Sequence, residues 1–173
     1  MIRSFHNKTP RIAESAFVSE AAYIVGDVEI GENSVVWPGA VIRGDFGKIR
    51  IGCNTAIEEN CVIHSGSLSG EGDVTIGDNV VIGHGAVLNC RKVGNNTLIG
   101  MNATILHDVE IGNFCVVAAA CVVSQGMKIP DRSFVVGVPG RIKGEVSPEL
   151  LLWTQNNPEY CSFIAKKYKE ELE

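Results

Sequence analysis

Ile76-Gly77-Asp78-Asn79-Val80-Val81-Ile82-Gly83-His84-Gly85-Ala86-Val87-Leu88-Asn89 decides the fold. Apolar anchors stand six apart at Ile76, Ile82 and Leu88, Gly77 and Gly83 follow two of them, and Val80 and Ala86 repeat midway. A helical face repeats every three or four residues and an ordinary half-buried strand alternates. A period of six with glycine beside the anchor is a hexapeptide repeat, and its architecture is a parallel β-helix.

The period runs outward in both directions. Upstream the anchors are Ile12, Val18, Ile24, Ile30, Val36 and Ile42, then, after a slip around Phe46-Gly47-Lys48, Ile51, Ile57 and Ile63. A polar, glycine-rich loop, Ser65 to Asp73, precedes Ile76. Downstream a step of five reaches Val93, and the period continues through Ile99, Ile105, Ile111, Val117, Val123, Ile129 and Val135 to a close at Pro139-Gly140. Three hexapeptides make one triangular turn, with successive turns stacked about 4.8 Å apart. One internal column is then Ile42, Ile63, Leu88, Ile105 and Val123. The expected organisation is a lead-in over 1–11, a β-helix over 12–144 and a helical segment over 145–173.

Ser147-Pro148-Glu149 reads as a helix start: a cap, proline at the first position and an acid in the first turn. The pattern predicts one helix from Pro148 to about Gln155 and a second opened by Asn157-Pro158-Glu159. Tyr160, Phe163, Ile164, Lys167 and Tyr168 fall on one face of the second, which covers either the coil's own flank or a neighbouring subunit.

With 173 residues, a net charge of −5 and 6% aromatics, the chain suits a thin coil and carries no general basic footprint for nucleic acid. No apolar run approaches the ~20 residues of a membrane span, and Met1-Ile2-Arg3-Ser4-Phe5 lacks the apolar core of a secretory signal. The six cysteines, 53, 61, 90, 115, 121 and 161, show no CxxC spacing. They read as small, reduced core residues of a cytoplasmic protein.

Arg43, His64 and Asn89 each follow an anchor of one column, so they should line up along one edge of the prism, pointing outward. His84, two past Ile82, falls on another corner, so His64 and His84 of one chain should not converge. They meet if a second chain packs alongside, and a three-fold ring does this three times. Two imidazoles and the Asn89 amide oxygen could hold a divalent cation, which makes water a nucleophile near neutral pH. Glu58 follows Ile57, lies below Gly83 and is a candidate general base, water-orienting group or further ligand. Arg43 offers a planar fork, with Asp45 and Glu59 as candidate partners, within the chain or across the subunit interface. His107 is a spare ligand candidate, and His6 in the lead-in reads as solvated.

Several stretches resemble the gamma-class carbonic anhydrases. They are Val36-Trp37-Pro38-Gly39-Ala40-Val41-Ile42-Arg43-Gly44-Asp45, Asn60-Cys61-Val62-Ile63-His64, Val81 to Leu88, Leu98-Ile99-Gly100-Met101-Asn102-Ala103 and Val135-Val136-Gly137-Val138-Pro139. The resemblance covers nearly the whole chain. It implies a left-handed β-helix, a homotrimer with sites at the subunit interfaces, and zinc (iron or cobalt in some members) held by three histidines, two from one chain and one from its neighbour. The matching positions are 64 and 89 of one chain and 84 of the other. Here the third histidine is Asn89, the family's active-site glutamine is Glu58, and the asparagine two before it is Ala56; Arg43 and Asp45 are retained. The expected site is therefore Arg43, Asp45 and Glu58 as catalytic residues with His64, His84 and Asn89 around the metal. The expected activity is hydration of carbon dioxide, a small-molecule substrate. The alternatives are an acyltransferase or thioesterase acting on a CoA-linked substrate, in which His84 or His64 is a general base without metal, and a non-catalytic relative.

Overall fold

The computed structural model describes residues 1–66, 69, 70 and 72–172. The chain is an all-β solenoid, a left-handed parallel β-helix of hexapeptide repeats with a C-terminal α-helix. Most strands are two residues long, because each hexapeptide yields one short straight side and then a corner. The sides stack in parallel register into three faces. On one face Ile42 pairs with Ile63, Ile63 with Leu88, Leu88 with Ile105, and Ile105 with Val123, the column read from the period. These anchors are essentially fully buried and form one continuous core.

The corners explain the recurring asparagines. Asn33, Asn54, Asn60, Asn79, Asn96 and Asn102 all have φ between +51° and +61°. Asparagine tolerates the left-handed region that most side chains avoid. At one corner the polar side chains also form a ladder. Asp78 accepts from Cys53 N–H, Asn95 from Asp78 N–H, Asn113 from Asn95 N–H and Asp131 from Asn113 N–H, at 2.7–2.9 Å.

The slip around Phe46 does not interrupt the sheet. One strand, Val41–Ile51, rounds the corner and pairs along Tyr23–Ile30, with an irregularity between Gly26 and Val28. Ile2–Arg3 in the lead-in pairs with Tyr23–Ile30. The far end closes with an antiparallel hairpin of Ser133–Val136 and Arg141–Glu145, through the cis Val138–Pro139 peptide.

The C-terminal segment corrects the two-helix expectation: one helix spans Pro148–Leu172. Ser147 caps it, its hydroxyl accepting from Leu150 N–H at 3.4 Å. A proline inside a helix costs about 3 kcal/mol. Docking on both sides of position 158 offsets that cost, since Thr154 and Ala165 are both buried. The helix lies on this chain's own flank, against strands Phe17–Val18, Val35–Val36, Ala56–Ile57 and Val81–Ile82. Tyr168 packs edge-on against Trp37 and Phe17, with centroids 5.2 and 6.3 Å away.

Candidate functional site

Strand alternation places Arg43 and Asp45 on the outer face with the buried Gly44 between them. Coil stacking then sets His64 directly over Arg43, and Asn89 one rung further. Arg43 Nη1 donates to Asp45 Oδ2 at 2.5 Å. His64 bridges the edge: Asn89 Nδ2 donates to its Nδ1 at 3.1 Å, and its Nε2 donates to Asp45 Oδ1, also at 3.1 Å. The Asn89 contact places the ring proton on Nε2. The Phe46 ring stands edge-on to His64, with centroids 6.0 Å apart.

The electrostatics keep this ring neutral. Burial, then the Arg43 charge, lowers the His64 pKa, against the opposing pull of Asp45; His107 lies near enough to add to the lowering. For Asp45, burial pushes upward. The hydrogen bond and charge of Arg43, with the His64 contact, outweigh it and hold the carboxyl below its usual range.

His84 forms a separate cluster on another corner. Ile57 lies under Ile82, so Glu58 and Glu59 lie under Gly83 and His84. Glu58 Oε2 accepts from the His84 backbone N–H at 3.0 Å and lies 3.1 Å from Nε2. Glu59 Oε2 lies 2.6 Å from Nδ1. Burial raises the Glu58 carboxyl, against the opposing His84 charge. A mostly apolar groove of about 380 Å³ runs beside it, lined by Val81, Gly83, Gly100, Met101 and Ala119 together with Glu58 and His84.

The six expected site residues therefore fall into two groups, Arg43-Asp45-His64-Asn89 and Glu58-His84. Among the described residues, no three His, Cys, Asp or Glu of one chain gather around a common point that could hold an ion. Within one chain Glu59 is paired with His84 and Asp45 with Arg43; a Glu59–Arg43 contact would have to form between subunits. The one-rung register that places Glu58 under Gly83 also places Glu59 under His84, so the pairing was available in the spacing. Phe46 was not singled out, because it sits in the slip where the period assigns no face.

Comparison with known proteins bears on the whole chain. The bacterial transferase hexapeptide family (six repeats) matches residues 9–44 and 92–125, and the hexapeptide repeat of succinyl-transferase matches 54–90. A Methanocaldococcus jannaschii protein named "Probable carbonic anhydrase" is 46% identical over 138 residues, covering 80% of this chain and 85% of its own. This chain belongs to the gamma-class carbonic anhydrase family. Gamma carbonic anhydrase 1, mitochondrial, of Arabidopsis thaliana is 36% identical over 168 residues, 95% of this chain, and the chain spans 61% of that relative's length. A solved hexapeptide transferase family protein from Anaplasma phagocytophilum superposes with a TM-score of 0.91 at 30% identity, covering 96% of this chain and 97% of its own. No helix of the described residues is long and apolar enough to cross a membrane.

Proposed function

We propose that the chain hydrates carbon dioxide as a homotrimer, with a divalent ion (zinc, iron or cobalt) at each subunit seam, held by His64 of one subunit and His84 of the next. The observation that carries this reading is that His64 and His84 each lie against a carboxylate and stand on different faces of one coil. A metal-ligating histidine is commonly held by a hydrogen-bonding group on the ring nitrogen that does not ligate. Glu59 does this at Nδ1 of His84, at 2.6 Å; an ion taking Nε2 would replace that nitrogen's 3.1 Å contact with Glu58 Oε2, and two imidazoles with carboxylates beside them fit a divalent ion. When bound, such an ion lowers the pKa of water and acts as a Lewis acid.

The chain's own residues supply the rest. Glu58, its carboxyl pushed upward by burial and lying beside His84, is the group placed to take and return a proton. Arg43 presents a guanidinium, 42% exposed, to a planar anionic product. The apolar groove beside Glu58 and His84 admits a small, uncharged substrate. The free cysteines 53, 61, 90, 115 and 121 suit a reducing compartment such as the cytoplasm.

Elemental analysis of protein purified without chelators, with stopped-flow hydration assays, tests the reading. The expected result is metal near one per chain. His64→Ala and His84→Ala subunits, each inactive alone, should recover activity when mixed. A verified mixed trimer without recovery refutes a shared site. The groove's small lining residues and the likeness to a transferase family protein favour a second reading, transfer or hydrolysis on a CoA-linked acyl group. That reading requires CoA to raise the melting temperature of metal-free protein. Protein that binds neither metal nor CoA is a non-catalytic relative.

A further inference from the structure

His64 offers two edges to an ion. At Nδ1 the neighbouring group is Asn89, at Nε2 it is Asp45, and each lies 3.1 Å away. Two donors of one ion, with bonds of about 2.0–2.2 Å at tetrahedral to octahedral angles, lie about 3.0–3.5 Å apart, so separation alone does not choose between the edges.

Two observations choose. The first is donor chemistry. Asp45 is a carboxylate held by Arg43 through its other oxygen at 2.5 Å, whereas Asn89 is a neutral amide. Hard divalent ions prefer the carboxylate, and ligating carboxylates are themselves hydrogen-bonded. The second is reach. From its rung the short Asn89 side chain meets Nδ1, at the root of the ring, while Nε2 lies at the tip.

We propose that Asp45 is the third protein donor at the seam, beside His64 Nε2 and the partner subunit's His84, and that Asn89 is a positioning residue acting on His64 from the opposite nitrogen. The proposal rests on the metal reading above. An amide can serve both states of the ring. In the metal-free chain its Nδ2 donates to Nδ1 while Nε2–H donates to Asp45. When an ion takes Nε2, that proton leaves to solvent and another binds Nδ1. Asn89 turns its amide to accept through Oδ1. The ring stays neutral and Asp45 stays ionised. Two imidazoles and a carboxylate form a donor set suited to iron(II).

Nitrogen NMR of full-length protein carrying ¹⁵N-histidine, titrated with zinc, reads the tautomer directly. The expected result is a His64 proton on Nε2 without metal and on Nδ1 with zinc, with Nε2 shifted by the ion. Nδ1 shifted by the ion while Nε2 keeps its proton would overturn the proposal in favour of the Asn89 edge. No change at either nitrogen and no retained zinc would overturn the metal reading itself. Asn89→Ala should weaken zinc binding about 10–100-fold, as outer-shell changes do, and leave Nε2 the shifted nitrogen. Asp45→Asn should weaken it by more than that. If Asp45→Asn does not assemble, Asp45→Glu keeps the charge facing Arg43 and should still change the zinc affinity; affinities equal to wild type in both would refute Asp45 as donor.

Discussion

Shaving the same side chain at two points of the solenoid should cost different amounts. Ile63 is fully buried in mid-column, between Ile42 and Leu88. Ile129, 3% exposed, ends its column and stacks on Ile111 alone. Ile→Ala removes three carbons, about 2.4 kcal/mol of transfer free energy at ~0.8 kcal/mol per methylene. A cavity that cannot close adds to this, toward ~4–5 kcal/mol. At Ile63 the rungs above and below are tied by backbone hydrogen bonds and cannot settle into the gap, so the expected loss is about 4 kcal/mol. At Ile129 one side is free to relax, and the expected loss is about 2.5 kcal/mol. Urea unfolding at fixed protein concentration, with unchanged slope, measures both. Equal losses, or a larger loss at Ile129, would refute the view that stability here is a sum of rung-to-rung contacts.

Asn89→His should raise the zinc retained after gel filtration, because an imidazole at 89, longer than the amide, reaches past Nδ1 toward the tip of His64 and adds a donor that Asn89 does not supply. Unchanged metal content in a folded variant would contradict this. Stability should fall as pH drops below about 6.5, the ordinary histidine value, because the lowered pKa of folded His64 lets the unfolded chain take up the proton first. A further loss is expected below 3.8 as Asp45, also lowered in the folded chain, becomes protonated. Melting temperature against pH checks both, and His64→Gln should flatten the first part. Ala120, exposed at φ +55° on a corner where asparagine recurs, should accept Ala120→Asn with a gain of about 0.5–1 kcal/mol in thermal unfolding.

The repeat, its anchor columns and the alignment of Arg43, His64 and Asn89 on one edge were legible in the sequence. A six-residue period is a backbone regularity: once three hexapeptides make a turn, counting alone says which residues stack. The separation of His64 from His84 within one chain followed from the same count. Counting does not set rotamers. Which ring nitrogen of His64 faces Asn89 and which faces Asp45 depends on side-chain length and on the corner at Phe46, where the period slips. The single helix through position 158 was likewise decided by tertiary packing. Local signals proposed a break there, and burial of Thr154 and Ala165 against one flank outweighed it.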